Sequence, residues 1–171
     1  MLSTPILLDY QSSTPCSKDV VDSMKPFWSE IFSNPSNKSN LAGINASAIL
    51  EASREKIEQN LFLKNKKVIF TSGATESNNL ALLGFARNYY KKTGNYGHII
   101  TLKTEHKAVL EPLHQLKKEG FMVTEINPER DGIISEEQFR KNIREDTFLV
   151  SVMMANNEIG VIQPIENISK I

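Results

Sequence analysis

The sequence predicts an α/β domain: a mostly parallel sheet with helices on both faces. Apolar runs of strand length alternate with helical stretches along the chain. That order requires crossover connections and therefore parallel strands. In three places an apolar run ends abruptly in small or polar residues that suit a helix start or a tight turn. The chain has 171 residues and is 40% hydrophobic, enough for one domain with a real core.

Residues 1–16 read as an irregular N-terminal arm, and residues 17–171 as the α/β domain. The opening MLSTPILLDY has no basic stretch and its apolar patch stops at Asp9, so no signal peptide is read there. A helical stretch over Asp19–Phe32 ends near the turn-prone SNPSNKSN. A longer helix, Gly43–Leu61, carries Ala46, Leu50, Ile57 and Leu61 mainly on one face. Lys67–Thr71 reads as a buried strand. Thr75–Lys92 reads as a helix that is apolar over most of its surface between Leu80 and Ala86, hence buried on more than one side.

The alternation continues with a strand at His98–Leu102 and a helix at Lys107–Glu119. That helix has Val109, Leu113 and Leu116 in one stripe, and Pro112 threatens its first turn. Phe121–Ile126 is a strand. Ser135 with Gln138 has the pattern of a capping box, opening a helix with Phe139 and Ile143. Thr147–Ala155 is a strand and Ile165–Ile171 begins a helix. A parallel sheet needs both faces covered, so the expectation is an incomplete domain.

Composition removes several classes of function. Lys and Arg number 20, as do Asp and Glu, so no basic excess points to nucleic acid. No apolar run is long enough to span a bilayer, and no membrane partner is expected. A single cysteine, Cys16, excludes an intrachain disulfide and fits a reducing, cytoplasmic setting. No two histidines have metal-ligand spacing, so no metal site is expected.

The first polar burst is TSGATESNNLALLG, residues 71–84. A helix starting at a strand's carboxyl end offers free N–H groups and a positive dipole end, both suited to phosphate. Gly73 permits close approach, Ala74 adds little bulk, and Thr75 can cap the helix or give its hydroxyl to an oxygen. A plain helix cap explains the same residues, and this stretch alone does not separate the two. Neither the dinucleotide G-x-G-x-x-G nor the P-loop pattern occurs.

The second is LKTEHKAVL, residues 102–110, which sets His106 between a strand end and a helix start. An imidazole there can stack on a flat ligand or move protons near neutral pH; a surface histidine is the plainer alternative. His98, at a strand start, is on the wrong edge for a ligand, and His114 is in mid-helix. The third is MMANNEIGVIQPI, residues 153–165, where Asn156, Asn157 and Glu158 end an apolar strand. These are turn formers that also suit hydrogen bonding to a polar ligand. All three bursts fall on one edge of the expected sheet.

Together, LLDYQSSTP (7–15), NPSN (34–37), FTSGATESNNLA (70–81), TEHKAVLEP (104–112), DGIIS (131–135) and VSVMMANNEIGVIQPI (150–165) resemble the cysteine desulfurases of the NifS/IscS type. These are class-V, fold-type-I pyridoxal 5'-phosphate enzymes with the aspartate-aminotransferase fold. The resemblance runs along the whole chain and is to the family's N-terminal half. It implies that Ala74 and Thr75 hold the cofactor phosphate. It implies that His106 stacks on the pyridine ring and assists proton transfer, and that Asn157 hydrogen-bonds the ring oxygen.

The implied reaction converts L-cysteine to L-alanine and passes sulfur, as an enzyme persulfide, to an iron–sulfur scaffold or another acceptor. The implied full-length assembly is a homodimer. The family's cofactor-anchoring lysine, its pyridine-pairing aspartate, its carboxylate-binding arginine and its persulfide cysteine lie further along and have no counterpart in these residues. Cys16, Lys103 and Lys107 do not match them. The isolated chain is therefore expected to be inactive and, with strands missing from its sheet and an apolar edge exposed, poorly soluble. Asn40 stands where the family often has histidine. A selenocysteine lyase or another class-V enzyme is an alternative, as is a non-catalytic half that pairs with a separate C-terminal half.

Overall fold

A computed structural model describes residues 6–64 and 66–171, so the first five residues of the expected arm lie outside the described part. The chain divides after Phe70 into two compact units.

In the first unit, residues 6–17 carry no helix or strand. The single helix expected over Asp19–Phe32 is two short ones, α1 (Lys18–Met24) and α2 (Pro26–Ser29). The break falls at Pro26, which has no N–H to give to the preceding turn. Helix α3 (Leu41–Asn60) starts two residues earlier than expected because the Asn40 side chain accepts from the Gly43 N–H at 2.7 Å. Asn40 thus serves as a helix cap. Gly43 is the one buried residue of α3, and a Cβ there would lie 2.0 Å from the Asn37 carbonyl oxygen. The apolar face of α3 is only partly covered: Ala46 and Ile57 are half-buried, while Leu50 and, just past the helix, Leu61 are exposed.

The strand expected at Lys67–Thr71 does not form. Its backbone groups are engaged by a helix instead. The Val68 N–H donates to Glu58 Oε1 at 3.1 Å, and the Val68 carbonyl accepts from the Arg54 guanidinium. The same guanidinium lies 5.0 Å over the Phe70 ring.

The second unit holds α4 (Ala74–Thr93), β1 (His98–Leu102), α5 (Lys107–Glu119), β2 (Met122–Ile126), α6 (Glu136–Asn142), β3 (Thr147–Ser151) and α7 (Ile165–Ile168). The strands form a parallel sheet in the order β2-β1-β3. Central β1 is buried at all five positions, as a strand covered on both faces must be. Its side chains alternate between two cores. Ile99 packs with Leu82 and Ala86 of α4 and with Val109, Leu113 and Leu116 of α5. Ile100 and Leu102 pack with Ile126, Ile134, Phe139 of α6 and Ile168 of α7. The result is three layers, with α4 and α5 on one face and α6 and α7 on the other.

Several expected elements match in place and kind. Helix α5 runs unbroken through Pro112, which is itself buried. Both hydrogen bonds of the capping box form: Ser135 Oγ accepts from the Gln138 N–H, and Gln138 Oε1 accepts from the Ser135 N–H, each at 3.2 Å. Three details differ. Helix α4 buries only Leu82 and Ala86, while Leu80 and Phe85 are each 51% exposed. Strand β3 stops at Ser151 rather than Ala155 because the next backbone donors turn to other partners. The last helix closes at Ile168 rather than Ile171.

Candidate functional site

Because the strands are parallel, their carboxyl ends share one edge, and α4, which runs back against β1, begins at that edge as well. The three polar bursts therefore come together.

Helix α4 opens without a side-chain cap: Gly73 is the N-cap residue. The first intrahelical bond runs from the Ser77 N–H to the Gly73 carbonyl, so the N–H groups of Ala74, Thr75 and Glu76 precede the ladder. A Cβ on Gly73 would meet nothing within 4 Å, so the space over the turn is open. The other polar groups of the turn satisfy one another. Thr71 Oγ1 lies 2.6 Å from Ser77 Oγ, and Glu76 Oε2 accepts from both the N–H and the hydroxyl of Ser72. The bonds from Ser72 hold the Glu76 carboxyl below its ordinary range. Thr75, at the second helical position, uses its carbonyl to accept from Asn79 Nδ2 at 2.8 Å. Its hydroxyl has no protein partner among the described residues.

His106 is the N-cap residue of α5, and its Nδ1 accepts from the Ala108 N–H at 3.0 Å. That bond leaves the ring proton of the neutral form on Nε2. Thr75 and His106 line one cavity of about 440 Å³, with Asn79 and Leu83 on the α4 side and Pro112 and Gln115 on the α5 side.

Past β3 the chain folds into a tight loop. Ala155 bridges Ile162, the Asn156 N–H donates to the Val161 carbonyl, and Gly160 takes a φ of 69° that favours glycine. Asn156 is buried at the centre of the loop. Its Oδ1 accepts from the N–H groups of Glu158 and Ile159 at 2.9 and 3.1 Å, and its Nδ2 donates to the Thr104 carbonyl at 2.9 Å. With its amide used in this way, Asn156 shapes the loop, and the neighbouring Asn157 is presented at the surface.

The other histidines stand apart from this edge or serve structure. His98 is fully buried at the opposite end of β1, its Nδ1 2.7 Å from Thr147 Oγ1 and its Nε2 2.8 Å from Thr124 Oγ1. His114 Nε2 lies 3.2 Å from Glu125 Oε1. Cys16 is an exposed free thiol, and the neighbouring Lys18 pairs with Asp22. Among the described residues no cluster of His, Cys, Asp or Glu could hold a metal ion, and no helix is long and apolar enough to cross a membrane.

Two residues that sequence reasoning passed over hold the edge together. Glu105, 7% exposed, accepts from the Met153 N–H through Oε1 at 2.5 Å. Burial pushes its carboxyl pKa up, partly offset by that bond. Gln163, also buried, accepts from the Ile134 N–H at 2.9 Å and donates to the Gly132 carbonyl at 2.7 Å, which ties the DGII turn to the loop after Asn157. Glu105 lies inside the TEHK stretch. The signal that could have found it is a carboxylate placed between a buried strand and a helix cap.

An arrangement of this kind can take a planar ligand that carries a phosphate: free helix-start donors and a hydroxyl for the anion, and an imidazole beside them. The comparisons with known proteins agree in direction. A family model for aminotransferase class V matches residues 6–171. The chain is 49% identical over 170 residues to the cysteine desulfurase IscS of Ehrlichia chaffeensis, covering 99% of this chain and 40% of that one. Among solved structures, a NifS-like protein superposes with a TM-score of 0.87 at 38% identity, over 95% of this chain and 43% of its own. A structure described as SspA in complex with cysteine gives 0.85 at 41% identity, over 95% and 46%. The chain thus spans less than half the length of the relatives it matches.

Proposed function

We propose, from the premise that the chain belongs to the class-V aminotransferase family, that it forms the N-terminal, cofactor-binding part of a cysteine desulfurase. The substrate is L-cysteine, the products are L-alanine and a sulfur atom carried as a persulfide, and the cofactor is pyridoxal 5'-phosphate. The single observation that carries the reading is the shared edge. Thr75, in the first turn of α4, and His106 line one cavity, and the turn bearing His106 is bonded to the loop bearing Asn157.

The residues present fit the cofactor. The N–H groups of Ala74 and Thr75 and the Thr75 hydroxyl hold the phosphate, helped by the α4 dipole. His106, with Nδ1 engaged by Ala108, offers its ring to the pyridine face and holds or moves a proton at Nε2. Asn157 would hydrogen-bond the ring oxygen. When bound, the cofactor supplies an electron sink for the substrate's bonds. The anchoring lysine and the persulfide cysteine belong to the family's later residues. The active form on this reading is a cytoplasmic homodimer that gives sulfur to an iron–sulfur scaffold or another acceptor.

A chimera tests the reading. Residues 1–171 are fused to the part of the Ehrlichia relative that follows its aligned segment, and alanine release from L-cysteine is measured with added pyridoxal 5'-phosphate. The chimera is expected to release alanine, the 171-residue chain alone to release none, and His106→Ala in the chimera to lower the rate by about 10²-fold or more. Alanine from the chain alone, or a His106→Ala chimera of unchanged rate, contradicts it.

A further inference from the structure

We propose that Glu105 is a positioning residue: its side chain locks the turn that carries His106 to the segment after β3 that leads into Asn157, and so fixes how the imidazole and the amide stand across the ligand site. For its ligand this rests on the reading above; for its geometry it does not.

Two hydrogen bonds join the same two segments, both donated by the segment after β3, one to a side-chain acceptor and the other from a side-chain donor. Glu105 Oε1 accepts from the Met153 N–H, and Asn156 Nδ2 donates to the Thr104 carbonyl. The two acceptors are consecutive in the β1–α5 turn, immediately before His106. The two donors bracket the chain that leaves β3, immediately before Asn157. Such a pair restrains both sliding and rotation of one segment against the other, which a single bond does not.

The choice of residue is also informative. A carboxylate at 7% exposure is costly to bury, and its bond to one backbone N–H does not remove that cost. Glutamine has the same length and offers the same acceptor without the charge, so the fold alone does not require glutamate. A charged acceptor makes the stronger and more directional bond. Stability given up for a stiffer joint is a pattern of functional sites. The Asn156 side chain, with its amide spent inside the loop, stiffens the other half of the joint.

The test uses the chimera described above, with residues 1–171 isotope-labelled, as wild type, Glu105→Ala and Glu105→Gln. Two probes are titrated: inorganic phosphate, and pyridoxine 5'-phosphate, which has the cofactor's ring and phosphate but no aldehyde to react with lysines. Three quantities are read: amide exchange at Met153, the His106 ring resonances, and the affinity ratio between the probes. In Glu105→Ala, Met153 is expected to exchange about tenfold faster and the ratio to fall about tenfold, with affinity for phosphate alone kept. The His106 resonances should move. Glu105→Gln, which keeps the acceptor but not its charge, should fall between wild type and Glu105→Ala in Met153 exchange and in the ratio.

General loss of structure would lower both affinities together and leave their ratio unchanged, so that pattern counts against positioning. Unchanged Met153 exchange or unchanged His106 resonances in Glu105→Ala overturn the proposal. If that variant does not fold, Glu105→Asp, one methylene too short for the bond, replaces it with the same expectations. A wild-type chimera that binds neither probe defeats the cofactor reading, and Met153 exchange with the His106 resonances then decides the joint.

Discussion

His98 and Glu105 are both buried ionisable residues of the second unit, and they make its stability depend on pH in opposite senses. Burial is the main cause of the lowered His98 pKa; Arg144 adds to it and Asp146 partly opposes it. Below the unfolded value of about 6.5, the unfolded chain takes a proton that the native chain refuses, so stability falls as pH drops through that range. Glu105 keeps its proton longer in the native state. Its contribution is greatest below about 4.3 and declines as pH rises toward its raised folded value. In Glu105→Gln, which removes the opposing group, urea midpoints measured from pH 5 to 7 should therefore rise with pH. His98→Gln in that background should flatten that rise and lower the plateau by about 1–3 kcal/mol, because one of the two threonine hydroxyls loses its partner. A slope unchanged by the substitution would contradict the assignment. Residue chemistry was partly legible in the sequence. The role of His106 as a helix-start histidine followed from its neighbours. The burial of Glu105 did not, since its partner Met153 lies far along the chain.

At the level of elements, what is local was legible and what depends on a distant partner was not. Helix α5 and strand β1 have the bounds read from the sequence, because stripe and cap chemistry are written in their own residues. The Ser135–Gln138 box is of the same kind. Ser135→Ala should cost about 1 kcal/mol of unfolding free energy, read as a lowered midpoint, and a neutral result would mean that tertiary packing alone holds α6. The run Lys67–Thr71 has strand composition, yet whether it joins a ladder depends on what lies beside it. Its central residue, Val68, is bonded to α3 side chains instead. Strand β3 likewise ends where Glu105 takes the next donor, a competition that no property of residues 152–155 announces. Apolar content misled in α4: hydrophobic residues around the helix do not prove burial around it, and Leu80 and Phe85 remain exposed.

For the molecule as a whole, parallel topology is what turns three separate motifs into one rim. Each polar burst was readable as a strand-end or helix-start signal, and the alternation of strands and helices placed all three on one edge before any coordinate was known. What the alternation could not supply is the fastening of that edge, which consists of the long-range bonds of Glu105, Asn156 and Gln163. The central claim, that the turn at Gly73–Glu76, the His106 imidazole and Asn157 face a single phosphorylated planar molecule, has a direct measurement. Pyridoxine 5'-phosphate is titrated into the chimera with residues 1–171 isotope-labelled, and the backbone amides of all three stretches and the His106 ring are followed by NMR. The account predicts that all of them shift along one common saturation curve, weak but shared. Shifts confined to one stretch, or stretches that saturate at different concentrations, would contradict it.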